Sequence, residues 1–353
     1  MEILEGILKL KRPAGGCTER EAINKFIKPT GAIEDIFGNY HLKIGETPIV
    51  WSSHTDTVHD KNGTQNITYG QKDGCIYLGE TIKKAECLGA DDGAGMWLMI
   101  KMIEAGVQGH YVFHREEECG GGGSMFLSSN PDWVEYFADY KAVIALDRRG
   151  YNDVITHQGS RTCSDSFAQN LADQLDTLMY PDGLDLEDKN TAKYYKWKPS
   201  RGVWTDSANY TDMVGECTNL SVGYFNQHSH LECLDPMFLK ELLKSLIHLD
   251  TEALLNACER KAGDKEIVPT YYNSWSKSSK SPMVPTDGGT AFFDDDPLYT
   301  YDIETGDFEF GLDMEEIVER YPDEICVILK HHGYNANDLL DEVDKISGIV
   351  NNT

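Results

Sequence analysis

The sequence has no run of about 18 apolar residues, so no segment of it reads as a membrane-spanning helix. It also lacks any Cys-x-x-Cys pair, and its nine cysteines are an odd number spread over 353 residues. Neither a disulfide framework nor a thiolate zinc site is therefore expected, and the cysteines read as reduced thiols. Positive charge is scarce: 32 Lys and Arg stand against 59 Asp and Glu, a formal net charge of −27. This balance argues against nucleic acid or an anionic membrane as partner, since either needs clustered cations to neutralise phosphate. The opening MEILEGILKLKRP sets Glu2 and Glu5 among its apolar residues, so no secretory signal is read there and a cytoplasmic protein is expected. No internal repeat is visible.

What is present is an ordinary globular composition, 40% apolar, in a chain long enough for one large core and a small appendage. Residues 1–258 alternate short β-like runs with helical stretches, the pattern of an α/β sandwich. Strands are predicted at 48–53, 110–114 and 142–147; helices are predicted at 18–27, 94–105, 165–179 and 236–257, where apolar residues return every three or four positions. The segment 70–80 reads as a hairpin or turn. Residues 259–290 become rich in Ser, Pro and Gly and read as a linker. The last region, 291–353, is acidic: from 287 onward there are 18 acidic residues against 3 Lys or Arg. Pro322, Gly333 and Asn337 are start and stop signals for short helices there. Such helices could pack on the main domain or dock a protein partner, and the plainer alternative is a solvated acidic appendage.

The chemistry-bearing residues cluster at predicted strand ends. WSSHTDTV carries His54 and Asp56, LGADDGAG carries Asp91 and Asp92, HREEECGGGGS carries Glu116, Glu117 and Glu118, ALDRRG carries Asp147, and YFNQHSHLE carries His228, His230 and Glu232. In open α/β sheets ligands bind in the crevice beyond the strand C-termini, so these five segments could meet at one site. One acid at a strand end is commonplace, but several brought within a few ångströms repel one another and raise one another's pKa. A divalent cation removes that penalty, and mixed imidazole and carboxylate ligands suit zinc or a related ion.

The segments HTDTV, GADDGAG, EEECGGGGS, ALDRRGY and HSHLE, in this order, resemble the co-catalytic zinc exopeptidases and amidohydrolases of peptidase clan MH, over roughly residues 20–255. Each motif is weak by itself; the ordered set is specific. The resemblance implies a mixed, mostly parallel central sheet flanked by helices. It implies that His54 and Asp147 bind one metal, Glu118 and His228 the other, and that Asp91 bridges the two. The cofactor implied is two Zn²⁺, with Co²⁺ or Mn²⁺ as alternatives, sharing a water or hydroxide. Asp56 is then the carboxylate behind His54, and Glu117 the general acid/base next to its metal-binding neighbour. Of the two histidines in H-S-H-L-E, His228 fits the family's ligand and His230 remains the alternative; Glu232 would line the pocket or support the ligand. Asp206, in TDSANY, is a candidate for the shell around the site. Glu116 has no implied role and is expected to face solvent or a basic partner such as Arg115.

The activity implied is metal-dependent hydrolysis of peptide or amide bonds. Only 80 residues separate Asp147 from His228, too few for catalytic-domain elements plus a lid domain of about 100 residues. This favours an aminopeptidase acting on peptides over a carboxypeptidase or an N-acyl amino acid amidohydrolase acting on small acylated amino acids. The stretch 180–204 reads as a long loop bordering the pocket. Arg148, Arg149 and Arg161 could hold a substrate carboxylate or offset the acids. From a different class, a metal-free scaffold docking a partner through the acidic tail is the remaining alternative.

Overall fold

Buried on both faces, a parallel strand reads as a nearly continuous apolar run rather than an alternating one, and PIVWSS, HYVFH and AVIALD behave in this way. In the computed structural model they are the middle of a mixed nine-stranded sheet. The structure describes residues 1–79, 86–180 and 196–264, and the backbone of 299–301 and 308–310. In chain order the sheet's strands are β1 (Ile33–Glu34), β2 (Tyr40–Ile44), β3 (Ile49–His54), β4 (Gly109–His114), β5 (Ala142–Arg148), β6 (Asp153–Gln158), β7 (Ser160–Arg161), β8 (Lys198–Gly202) and β9 (Glu216–Ser221). Their spatial order is β7-β6-β9-β5-β3-β4-β2-β1, with β8 also on β6. The central strands β9, β5, β3 and β4 are all parallel. Antiparallel β2 and β1 extend the sheet beyond β4, and β6 joins β9 antiparallel on the other side.

The helices are α1 (Glu2–Leu8), α2 (Cys17–Ala22), α3 (Ala90–Glu104), α4 (Gly122–Ser129), α5 (Pro131–Phe137), α6 (Asp165–Met179), α7 (Pro236–Ile247) and α8 (Thr251–Asn256). Successive strand residues face opposite sides, and two cores result. Trp51, Tyr111, Phe113, Ile144 and Leu146 pack with apolar residues of α1, α3, α6 and α7, whereas Val50, Val112 and Val143 pack with Leu127, Phe137 and Tyr210 on the other face. The single helix expected at 236–257 is two, because Asp250 accepts the N–H of Ala253 at 3.0 Å and starts α8 afresh. Helix α2 likewise gives way to a wider π-helical turn over Ile23–Ile27 within the expected 18–27.

Register decides what meets at the sheet's end. His54 pairs with His114 across β3 and β4, and Ser52 pairs with Ala145 across β3 and β5, so two residues further on His54 and Asp147 stand side by side. A small second sheet is formed by Tyr224–Phe225, Cys233–Leu234, Ile76–Leu78 and Ile67–Tyr69; its first two strands bracket the loop that carries His228. The described residues between Asp147 and His228 supply β6 to β9, α6 and a 3₁₀ turn at Asp206–Tyr210. Most of the long loop expected at 180–204 and the linker beyond residue 264 lie outside the described residues.

The chain divides into two compact units, Met1–Thr290 and Ala291–Thr353. Within the second unit the described residues form two antiparallel strands, Tyr299–Tyr301 and Phe308–Phe310; the helices expected from Pro322 onward lie outside the described residues. Among the described residues no helix is long and apolar enough to cross a membrane.

Trp51 is fully buried and its indole N–H donates to the Gln108 carbonyl at 3.1 Å. Trp51→Ala is expected to cost about 3–5 kcal/mol, the range for emptying an aromatic site in a packed core. Urea unfolding measures this, and a loss below about 1 kcal/mol would contradict the core assignment.

Candidate metal centre

The site forms where the parallel strands stop. His54 closes β3, Asp147 is the last residue but one of β5, Glu117 and Glu118 sit in the turn between β4 and α4, and Asp91 lies in the non-helical first residues of α3. His228 comes from the loop between the small sheet's strands, with a left-handed backbone at φ 58°. Residues separated by up to 174 positions are thereby brought into contact distance. His54 Nε2 is 3.1 Å from Asp91 Oδ1 and 3.6 Å from Asp147 Oδ1. His228 Nε2 is 3.1 Å from Glu118 Oε1 and 3.3 Å from Asp91 Oδ2. Asp91 therefore turns one oxygen to each histidine. Glu117 Oε2 lies 4.0 Å from His54 Nε2, and its carboxylate accepts no hydrogen bond among the described residues.

The remaining candidates are placed around this group. Asp56 is fully buried, but its carboxylate oxygens are taken by the backbone N–H groups of Glu117 and Glu118, each at 3.1 Å. The His54 ring meets Asp56 mainly through the backbone carbonyl, 3.2 Å from Nδ1, with Oδ1 at 3.5 Å. Asp56 thus orients both a histidine and the turn bearing two glutamates. Asp206 is buried, accepts the Ser124 hydroxyl at 2.5 Å and lies 3.3 Å from His114 Nδ1. Glu232 is behind Asp91, accepting backbone N–H groups of that segment. His230 makes no hydrogen bond or ion pair among the described residues. Arg115 is held bidentately by buried Glu19, at 2.6 and 3.0 Å, so of the two expectations for Glu116, solvent or Arg115, the second is taken by Glu19, and Glu116 is half-buried. Only an intact carboxylate can accept both guanidinium N–H groups in parallel.

Sequence reasoning missed several groups that complete the geometry. Thr205 donates its hydroxyl to Asp147 Oδ2 at 2.6 Å, Tyr224 donates to Asp147 Oδ1 at 3.2 Å, and Asn219 Oδ1 accepts the Asp147 N–H at 2.9 Å. Their only local signal was position, since Thr205 opens the TDSANY segment and Tyr224 precedes the HSHLE loop. Asp92 accepts the N–H groups of His54 at 3.1 Å and Gly95 at 2.9 Å, so it braces backbone while Asp91 faces the cluster. The peptide between the two is cis.

Crowded and buried, these groups titrate abnormally. Burial lifts the Glu118 carboxyl, and Asp91 lifts it further, to about 7 against the pull of His228. Burial also pushes Glu117 well above the usual carboxylate range, helped by Asp147, Asp206 and Glu118 against the opposing effect of His54. Asp147 is raised by burial and by Asp91, and Asp206 is pushed by burial to about 7. For the histidines burial acts downward and loses: Asp147 and hydrogen bonds to carboxylates hold His54 well above its ordinary value, and Asp91 with Glu118 raises His228 to about 11. Asp91, between both imidazoles, is lowered despite its burial.

The donor set fits divalent metal. Two groups, His54 with Asp92 and Asp147, and His54 with Asp91 and Glu118, each offer three ligand atoms within 4.8 Å of one another. Since the Asp92 oxygens already receive two backbone N–H groups, Asp91 is the better-placed donor beside His54 and Asp147. The four carboxyls and two imidazoles are held against one another largely by protons, which cations would displace, and the nitrogen and oxygen donors suit zinc or another first-row ion.

No family model and no curated protein matches the chain. Among solved structures it is similar to a tripeptidase from Staphylococcus aureus (14% identity, 72% of this chain and 97% of that one, TM-score 0.48). It is also similar to the aminopeptidase PepT from Bacillus cereus (16% identity, 72% and 97%, TM-score 0.45). A third is the Pyrococcus horikoshii TET1 peptidase, which assembles into a tetrahedron or an octahedral shell (17% identity, 72% and 98%, TM-score 0.46).

The carboxylates facing His54 and His228 favour their protonated forms, so metal binding at these nitrogens is expected to release protons. Zinc affinity is therefore expected to rise with pH from 6 to 8, with proton release on binding. Calorimetric titration in buffers of different ionisation enthalpy measures both; binding heats independent of buffer would show that these imidazoles were already neutral.

Proposed function

We propose that the chain is a metal-dependent hydrolase of peptide or amide bonds, an aminopeptidase-type exopeptidase with two zinc ions. The observation that carries this reading is Asp91, with one oxygen 3.1 Å from His54 and the other 3.3 Å from His228, and Glu117 free beside them. His54 and Asp147 would hold one ion, His228 and Glu118 the second, and Asp91 both. Such a pair supplies Lewis-acid polarisation of the scissile carbonyl and acidifies the attacking water.

The chain's own groups do the rest. Asp56 fixes the Glu117–Glu118 turn by its two backbone contacts, so the two adjacent glutamates take separate duties: Glu118 toward His228 and Glu117 toward the substrate. Glu117 takes a proton from the water whose oxygen bonds to the carbonyl carbon, then delivers it to the amine nitrogen as the C–N bond breaks. Thr205 and Tyr224 hold Asp147 in one orientation throughout.

Two features support a free amino terminus on the substrate. Arg148 is turned to Asp153 at 3.5 Å and Arg161 to Asp165 at 3.0 Å, so two of the candidate anchors for a substrate carboxylate are engaged elsewhere. The described residues between Asp147 and His228 supply strands of the main sheet, helix α6, a 3₁₀ turn and one strand of the small sheet, which supports a compact enzyme without a lid domain there.

Glu117→Gln is expected to retain about two divalent ions per chain by elemental analysis while kcat falls about 10²- to 10⁴-fold; full turnover in the metal-loaded variant sinks the assigned role. On matched dipeptides the wild type is expected to prefer the free amino terminus. Faster release from N-blocked substrates would favour the amidohydrolase instead, and a chain that retains no divalent metal and cleaves neither would be a scaffold.

A further inference from the structure

The segment Gly89–Asp91 is held by two buried side chains of opposite charge type, both bonded to backbone groups. Glu232 is 1% exposed; its Oε2 accepts the Gly89 N–H at 2.9 Å and its Oε1 the Asp91 N–H at 3.0 Å. Arg12 is fully buried and donates from Nη2 to the Gly89 carbonyl at 2.9 Å. Its Nε donates to the carbonyl of Thr55, the residue after His54, at 3.0 Å, and Nη1 reaches the Ile7 carbonyl at 3.1 Å. Glu232 itself lies four residues after His228 in the same loop, where its N–H donates to the Ser229 carbonyl at 3.1 Å. Three ligand-bearing segments are thus tied together by two side chains.

Neither tie is explained by packing alone. A buried guanidinium or carboxylate is costly unless its hydrogen-bonding groups are satisfied and its charge is offset. Here Arg12 meets only carbonyl groups and Glu232 only N–H groups, and their charges oppose across the segment they grip. Glutamate, not glutamine, suits the position because both groups it faces are donors; an amide would set its NH₂ against one of them.

We propose that Glu232, backed by Arg12, is a positioning residue that sets the separation of Asp91 from His54 and His228 and so prepares the centre for metal. The proposal rests on the metal-site reading above. It acts through backbone and not through contact with the reacting atoms, as outer partners of metal ligands do.

The test is zinc alone, titrated into wild type and Glu232→Gln in competition with a chromophoric chelator, with thermal unfolding of each protein metal-free and zinc-loaded. Expected are zinc affinities about 10- to 100-fold weaker in the variant and a smaller rise in Tm on adding zinc, each measured from the variant's own metal-free state and beyond any fall in its metal-free Tm. Equal affinities overturn the proposal. So does a fall in the metal-free Tm that accounts for the whole change, since the role would then be structural only. If Glu232→Gln does not fold, Arg12→Lys carries the same expectation, because it keeps the charge but cannot reach Gly89 and Thr55 together. A wild type that binds no zinc overturns the metal-site reading and this proposal with it, whereas zinc binding that is unchanged in the variants overturns the proposal alone.

Discussion

The structure depends on tolerating like charge. Asp91, Glu117, Glu118 and Asp147 are crowded at the end of a buried sheet, where burial and neighbouring carboxylates disfavour the anions of Glu117, Glu118 and Asp147 while two imidazoles favour that of Asp91. The protein meets this cost with two imidazoles drawn into the cluster and with backbone N–H groups aimed at the surrounding carboxylates. Asp56, Asp92 and Glu232 each accept two such groups. The residue arrangement is consequently stiff, and what it leaves pointing inward is a set of oxygen and nitrogen donors. That is the form of a site for cations.

The sheet makes this possible. Four parallel strands end on one side, and their register places His54 level with His114 and Asp147. Everything else must be delivered by loops, which lack a ladder to fix them. Each delivering loop has its own tie: Asp56 for the Glu117–Glu118 turn, Glu232 and Arg12 for the Gly89–Asp91 segment, and the small sheet for the loop of His228. Rigidity at the centre is in this sense borrowed from polar groups well outside the reacting atoms.

The sequence made some of this legible and hid the rest for definable reasons. The runs at 48–53, 110–114 and 142–147 stood out because strands buried on both faces keep apolar residues at nearly every position. Helix α6 stood out by its three-to-four spacing. Strands β6, β8 and β9 did not, since PSRG and ECTNLS carry no periodic apolar signal and are strands only because neighbours complete their hydrogen bonds. Helices α4 and α5 are short, and their glycine and proline mimic a loop. Among the site residues, those in compact motifs such as HTDTV and GADDGAG could be singled out. Arg12 and Glu19 could not, since an isolated charge near the amino terminus looks like any surface residue until its buried partners are known.

By itself, then, the sequence determined the chemical inventory: which histidines and acids were available, that thiolates were not arranged as ligands, and that the charge balance disfavoured phosphate-bearing partners. It also determined the α/β alternation, because side-chain periodicity is a local property of the chain. The resemblance already implied Asp91 as the shared ligand and His228 ahead of His230; only the tertiary structure decided that Asp92 braces backbone, that Glu19 takes Arg115, and that Thr205 and Tyr224 hold Asp147. Those choices turn on strand register and on where each loop folds back, and both are set by contacts between residues far apart in the chain, which no local pattern records.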